Sequence, residues 1–239
     1  MRALVVLPTY NEILNVEPML RLLREVVPEC HVLVVDDNSP DGTAKMARAV
    51  GEELGQIEVL ERGAKSGLGR AYRAGFAWGL EHGYDHVVEI DCDFSHDPLA
   101  LPMLLEQAAH NDVVIGSRYV EGGHIPRWAW SRRVLSRGGN KYASLVLGLR
   151  VADSTSGYRV YSASALEGMH YETVTADGYG FQIEMTYRAR RSGASIIEVP
   201  ISFTDRQRGE SKMSKAIVVE ALALVTKWAL ERPFHRRVR

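Results

Sequence analysis

Apolar residues fall into two rhythms along this chain. In the first half, short unbroken apolar runs alternate with stretches whose apolar positions recur every three or four residues. Ala3-Leu4-Val5-Val6-Leu7, closed by Pro8, has the pattern of a strand buried on both faces. Met19, Leu22, Leu23 and Val26 give the next stretch, 16–27, helical spacing. The alternation continues with a strand over 32–35, a helix over 42–54, a strand over 57–60 and a helix over 67–82. A strand over 86–90, a helix opened by Asp97-Pro98 and running to His110, and a strand over 112–116 complete this half. Ser39-Pro40-Asp41 reads as the start of the second helix, with Ser39 as the capping hydroxyl. The second half is less regular. It predicts helices over 128–149, with Gly138-Gly139 as a weak point, over 180–191 and over 212–231, and strands over 158–161 and 195–199.

Repeated strand–helix units of this length predict an α/β fold: a mostly parallel, twisted, Rossmann-like sheet with helices on both faces, plus a C-terminal amphipathic helix. Ligands of such sheets bind beyond the carboxyl ends of the strands. The unusual polar residues follow predicted strand ends: Tyr10 and Glu12, Asp36 and Asp37, Asp91 and Asp93, and Arg118. The natural division is a catalytic unit over 1–211, a ligand-binding half (1–118) and an acceptor half (119–211), followed by the helix and basic tail of 212–239.

Composition narrows the class. The 239 residues are 46% hydrophobic and 25% charged with a net charge of -1, which fits an ordinary globular protein and argues against nucleic acid as a partner. Cys30 and Cys92 do not make a disulfide framework, so a reducing cytoplasm is expected. No apolar run reaches the roughly eighteen residues of a membrane-spanning helix, and no signal peptide is evident, so any membrane role is expected at the surface.

Asp91-Cys92-Asp93 carries the clearest chemistry. In extended backbone, residues two apart point the same way, so both carboxylates are expected to face one point. Two bare carboxylates repel unless a cation neutralises them or one is protonated, and Mg2+ or Mn2+ suits oxygen ligands with positions left for phosphate. A helix cap or solvated loop acids would leave the same pattern. Asp37 is expected to accept hydrogen bonds from a base or ribose, with Ser39 and Asp41 structural, although Asp-Asn-Ser-Pro-Asp-Gly is also turn chemistry. Tyr10 offers a ring for stacking and Glu12 an acceptor. Gly67 and Gly69 read as a turn and helix entry, with a lesser ligand role for Lys65.

From His124 to Arg150 there are six cations, Arg127, Arg132, Arg133, Arg137, Lys141 and Arg150, and no acid, with Trp128 and Trp130 among them. That segment suits a membrane interface or phosphate binding; a solvated basic face is the plain alternative. Arg206 and Lys212, in a polar loop, are placed to clamp a diphosphate. The final helix has one apolar face (Ile217, Ala221, Leu224, Val225, Trp228), for a membrane or for its own domain.

Leu-Pro-Thr-Tyr-Asn-Glu (7–12), Val-Asp-Asp-Asn-Ser-Pro-Asp-Gly-Thr (35–43), Asp-Cys-Asp-Phe-Ser-His-Asp-Pro (91–98), Gly-Ser-Arg-Tyr (116–119), Ser-Arg-Gly (136–138), Asp-Ser-Thr-Ser-Gly-Tyr-Arg (153–159) and Gly-Glu-Ser-Lys (209–212) together resemble the polyprenol-phosphate mannosyltransferases of glycosyltransferase family 2, over nearly the whole chain. The resemblance implies a GT-A fold and inverting transfer of mannose from GDP-mannose to a polyprenyl phosphate lipid. By it, Pro8, Tyr10, Glu12, Val35 and Asp37 line the guanosine side. Asp91 and Asp93 hold the metal and diphosphate, with backbone contacts at Cys92, while Arg206 and Lys212 clamp the nucleotide. Arg118, Arg132 and Ser136 receive the lipid phosphate. Two residues depart from common family members: Cys92 where Ala is frequent, and Ser95 where some members ligate the metal through Gln, so that a water is expected between Ser95 and the ion. Some members carry C-terminal membrane helices; here attachment to the cytoplasmic face would rest on amphipathic segments or an integral-membrane partner. The competing readings are a polyprenyl-phosphate glucosyltransferase or other nucleotide-sugar transferase, a sugar-phosphate nucleotidyltransferase, and a non-catalytic membrane-surface module.

Overall fold

In a computed structural model of the chain, which describes residues 1–126, 128–206 and 215–230, the apolar runs form seven strands. They are β1 (Ala3–Thr9), β2 (His31–Asp36), β3 (Ile57–Glu61), β4 (His86–Glu89), β5 (Val113–Ser117), β6 (Arg159–Ser162) and β7 (Ile196–Pro200). Between and after them run the helices α1 (Ile13–Val26), α2 (Thr43–Leu54), α3 (Leu68–Glu81), α4 (Leu101–Ala108), α5 (Trp130–Leu147), α6 (Ala163–Gly168), α7 (Gly178–Ser192) and α8 (Lys215–Leu230).

The strands share one sheet in the order β3-β2-β1-β4-β6-β5-β7. All neighbours pair parallel except β6, which runs antiparallel to both β4 and β5. The carboxyl ends of the other six strands therefore lie along one edge, and the start of β6 lies there too. This reversal brings the 153–158 loop, which enters β6, to the same edge as the loops that leave β1, β2, β4 and β5. The sheet order reverses between β1 and β4, the place where such folds open a ligand crevice.

Strand alternation splits the core in two. Leu4 and Val6 of β1 and Leu33 and Val35 of β2 join one cluster with Tyr72, Phe76, Ala143, Phe181 and Val225, from α3, α5, α7 and α8. Ala3, Val5 and Leu7 of β1 and Val32 and Val34 of β2 join the other with Val16, Met19, Ala47 and Leu104, from α1, α2 and α4. Each fully buried Val or Leu contributes roughly 1.5–3 kcal/mol, so the first two strands anchor both layers.

Three local readings change. The second helix is capped by Gly42 in the left-handed region (φ 89) and not by Ser39. The Ser39 hydroxyl instead donates to Asp36 and accepts from the Asn11 amide, while Asp41 accepts from Thr43 and Ile13. Helix α5 runs unbroken through Gly138-Gly139. Helix α6 is an element that the apolar spacing did not reveal. In the described part of the apolar face of α8, Val225 is buried and the Trp228 ring stacks on Tyr187, and the helix packs on α5 and α7 of its own domain.

Helix α3 lies so close to β1 that a Cβ at Gly75 would overlap the Val6 side chain. Gly75→Ala is expected to destabilise the protein by about 1–3 kcal/mol through overpacking. Urea denaturation measures it; an unchanged midpoint would show that the two elements are not pressed together as described.

Candidate active site

Strand β4 ends at Glu89, and the acid pair follows it. The pair does not converge by strand pleat, as the extended-backbone reading expected. Cys92 and Asp93 lie in a turn, and Phe94 takes a positive φ of 58°, a conformation unfavourable for a bulky side chain. The turn brings both carboxyls together. Asp91 accepts a hydrogen bond from the Tyr72 hydroxyl at 2.9 Å, and Tyr72 is itself fully buried against Phe181. Asp93 accepts from the Ser95 amide at 2.9 Å and from Arg206 Nε at 3.0 Å. Burial holds the Asp91 carboxyl above the ordinary carboxylate range and the charge of Asp93 pushes it further. Burial also disfavours charge on Asp93, but the hydrogen bonds from Ser95 and the Arg206 charge outweigh it and keep Asp93 ionised below that range.

Arg206 reaches past Asp93 to Glu12, 3.2 Å away, so one guanidinium bridges acids from two loops. Glu12 is buried, and its other oxygen accepts from Asn15 at 2.8 Å. The donor set fits a small hard dication: two carboxylates whose charges act on each other, with the buried Ser95 beside them. Among the described residues no group of three or more His, Cys, Asp or Glu surrounds a common point. Such a cation would take its remaining ligands from phosphate and water, as Mg2+ commonly does.

Asp37 is buried at the end of β2, paired with Arg62 at 2.8 Å and accepting from the Ser66 amide at 3.0 Å. Arg62 therefore holds the carboxylate in place, a role that only its position after β3 hinted at. Tyr10 lies beyond β1 with Lys65 Nζ 4.4 Å above its ring, and Pro8, within β1, is half-buried. Val35 is the exception among the residues expected to line this side. Its side chain is sealed in the core with Leu33 and Tyr72, so it offers none to a ligand. Cys92 is buried too, and its side chain joins the opposite core layer. Gly67 and Gly69 open α3 as expected and back onto Asp177, which accepts from the Gly69 amide at 3.0 Å.

The basic residues separate by environment. Arg118 is 3% exposed and makes a two-point ion pair with Asp153 (2.7 Å on each arm), with a further bond to Thr155. Burial opposes its charge, and the Asp153 carboxylate more than compensates. Its guanidinium is thus engaged in tying the 153–158 loop to the end of β5, a partner that sequence reasoning missed. In the same loop, a Cβ at Gly157 would lie 3.7 Å from Asp91 Oδ2, so the loop backs directly onto the acid pair. Arg132 is half-exposed, pairs with Asp205 at 3.0 Å, and lies 3.8 Å over the Trp128 ring. Trp128 donates to the same Asp205 at 2.9 Å. Ser136 accepts from the Tyr119 hydroxyl at 2.6 Å. Arg132 and Ser136 border a cavity of about 100 Å³ between α5, α7 and α8, whose other walls include Leu135, Ala143, Ile183, Leu222 and Val225. Lys212 lies outside the described residues.

Adjacent residues thus serve both regions: Asp205 holds Arg132 and Trp128, and Arg206 holds Asp93 and Glu12. Fold and site define an open α/β sheet with an acid pair at its switch point and a cation-rimmed apolar cavity beside it. The chain belongs to the family described as Glycosyl transferase family 2, whose model matches residues 4–169. It is 50% identical over 230 residues to an undecaprenyl-phosphate mannosyltransferase of Micrococcus luteus, covering 96% of this chain and 95% of the relative. It is 45% identical over 231 residues to a polyprenol monophosphomannose synthase of Mycolicibacterium smegmatis, covering 96% and 87%. Among solved structures, glucosyl-3-phosphoglycerate synthase from Mycobacterium tuberculosis, in complex with Mn2+ and UDP-glucose, superposes with a TM-score of 0.69 at 21% identity, covering 95% of this chain and 78% of that one. A mannosyltransferase from Pyrobaculum calidifontis, in complex with GDP-Man and Mn2+, superposes with a TM-score of 0.60 at 20% identity, covering 96% and 72%. The fold is of the GT-A type expected from the sequence.

Removing Asp153 leaves a buried guanidinium unpaired, a loss of about 3–5 kcal/mol. Asp153→Ala is therefore expected to lower stability by that amount in chemical denaturation. A loss under about 1 kcal/mol would mean that Arg118 has another anchor.

Proposed function

We propose that the protein transfers mannose from GDP-mannose to a polyprenyl phosphate, with inversion, giving polyprenyl-phosphate β-mannose and GDP. The single observation that carries this reading is the Asp205-Arg206 junction. It sets a site suited to a nucleotide diphosphate within two neighbouring residues of a cation-rimmed apolar cavity suited to a phosphate-headed lipid. The names of the two curated relatives supply the chemistry of sugar and acceptor, and the GDP-Man complex of a fold neighbour is consistent with the donor.

In this reading Tyr10, Glu12 and Asp37 receive the nucleoside. Asp91 and Asp93, with Ser95 near them, would hold Mg2+ or Mn2+, which neutralises charge on the departing diphosphate. Arg206 exchanges its carboxylate partners for the diphosphate. Arg132 and Ser136 receive the lipid phosphate, and Arg118 fixes the loop between the two substrates. A phosphate oxygen of the lipid attacks the anomeric carbon while the bond from that carbon to the diphosphate breaks. A phosphate monoester is already ionised near neutrality, so the reaction needs no strong general base. Positioning and charge neutralisation provide the rate.

The lipid substrate places the enzyme at a membrane surface. Among the described residues no helix is long and apolar enough to cross a membrane. Helix α5 instead exposes Trp130 (78%), Val134 (50%) and Leu145 (72%) on its outward side, beside Arg137 and Lys141. Aromatic and aliphatic side chains next to cations suit an interface of anionic headgroups.

Labelled GDP-mannose incubated with polyprenyl phosphate and Mg2+ or Mn2+ is expected to move label into extracted lipid, and chelation is expected to stop it. Transfer from UDP-glucose in place of GDP-mannose would overturn the sugar assignment. Asp91→Ala is expected to lower transfer by about a thousandfold while the protein still melts cooperatively as a folded chain. Substantial remaining activity would remove the acid pair from the reaction. Arg132→Ala is expected to raise KM for polyprenyl phosphate more than KM for GDP-mannose; equal effects would move Arg132 to the donor side.

A further inference from the structure

Helix α5 carries a second cavity on the flank opposite the apolar one. Its volume is about 320 Å³ and it is lined by Tyr119, Arg137, Lys141, Ser144, Leu145, Val151 and Ala152. It shares no lining residue with the cavity of Arg132 and Ser136. At 3.6 residues per turn, positions 137, 141, 144 and 145 fall on one side of the helix and 132, 135, 136 and 139 on the other. The Tyr119 side chain marks the boundary: its hydroxyl donates to Ser136 and its ring lies 5.4 Å from the Arg137 guanidinium.

The charge of this cavity is unbalanced. Arg118, Arg132 and Arg206 are each held by a carboxylate. Among the described residues, no ion pair engages Arg137 or Lys141. No acid lines the cavity, and Glu198, behind its wall, is spent on the amides of Ala152 and Asp153. Two like charges one helical turn apart disfavour the helix, a cost that an anion between them removes. The cavity also has an apolar edge, where Leu145 is 72% exposed. A cationic pocket bordered by exposed apolar side chains matches the level in a bilayer where headgroup phosphates meet acyl chains.

We propose that the Arg137–Lys141–Ser144 cavity is a docking site for the phosphate of an anionic bilayer phospholipid, separate from the site of the acceptor lipid. The proposal rests on the membrane-surface reading above. It assigns the two cations to orienting the enzyme on the membrane, with Ser144 offering its hydroxyl to the same phosphate.

The test is sedimentation of the full chain with phosphatidylcholine vesicles, with and without phosphatidylglycerol, at low salt. Wild type is expected to bind the anionic vesicles more tightly. Arg137→Gln/Lys141→Gln is expected to lose about 25-fold of that binding, at roughly fivefold per cation. Ser144→Leu fills the cavity and keeps both charges; it is expected to lose binding by severalfold, which diffuse attraction to a basic surface would not produce. In detergent without phospholipid, the double variant is expected to transfer sugar to polyprenyl phosphate at the wild-type rate. Unchanged binding by Ser144→Leu overturns the proposal. So does a loss of detergent activity in the double variant as large as that of Arg132→Ala, which would make the cavity part of the acceptor site. Failure of the wild type to bind either vesicle, with activity in detergent intact, overturns both the docking site and the membrane-surface reading and leaves the transfer reaction standing.

Discussion

Two carboxylates, Asp91 and Asp93, share the end of one strand at the point where the sheet order reverses, and their mutual repulsion is the constraint on which the site is built. The surrounding residues answer it separately. Tyr72 donates a hydrogen bond to Asp91, the Ser95 amide and Arg206 settle Asp93, and a turn with Phe94 at positive φ keeps the pair together. These contacts do not offset the burial of Asp91 together with the charge of Asp93, and its carboxyl stays above the ordinary range. Such a pair gains most from a further positive charge, and that asymmetry suits a site whose substrate arrives as a diphosphate with its counter-cation.

The second feature follows from chain direction. Because β6 runs against its neighbours, the 153–158 loop meets the carboxyl ends of the parallel strands, and the buried Arg118–Asp153 pair locks it there. A buried pair of this kind is weak evidence for added stability, but it fixes geometry, because neither partner can leave alone. Gly157 then backs onto Asp91, while Asp205 and Arg206 join the acid pair to the Trp128–Arg132 region. The two proposed substrates would therefore be placed by one connected set of polar contacts.

Much of this was legible in the residues. Apolar runs and helical spacing located every strand and all but the short α6, because burial in a two-layer α/β core imposes those rhythms directly. Strand-end polarity picked out Tyr10, Glu12, Asp37, Asp91, Asp93 and Arg118. Long-range pairing was not legible. Asp153, Arg62 and Asp205 act through partners 35, 25 and 73 residues away, and no local pattern encodes such a distance. Nor does anything in the spacing around Tyr72 show that its hydroxyl ends at Asp91. Val35 was named by the resemblance, and strand alternation turns its side chain into the core. The approach of the two acids was anticipated for the wrong local reason, by pleat where a turn does it.

The central claim is that a divalent cation between Asp91 and Asp93 gathers the diphosphate of the donor, and electron paramagnetic resonance of Mn2+ tests it most directly. With GDP labelled by 17O in its β-phosphate, the account predicts one bound Mn2+ per chain whose lines broaden through that oxygen, and loss of the bound signal in Asp93→Asn. A Mn2+ spectrum that neither responds to the labelled nucleotide nor changes in that variant would contradict it.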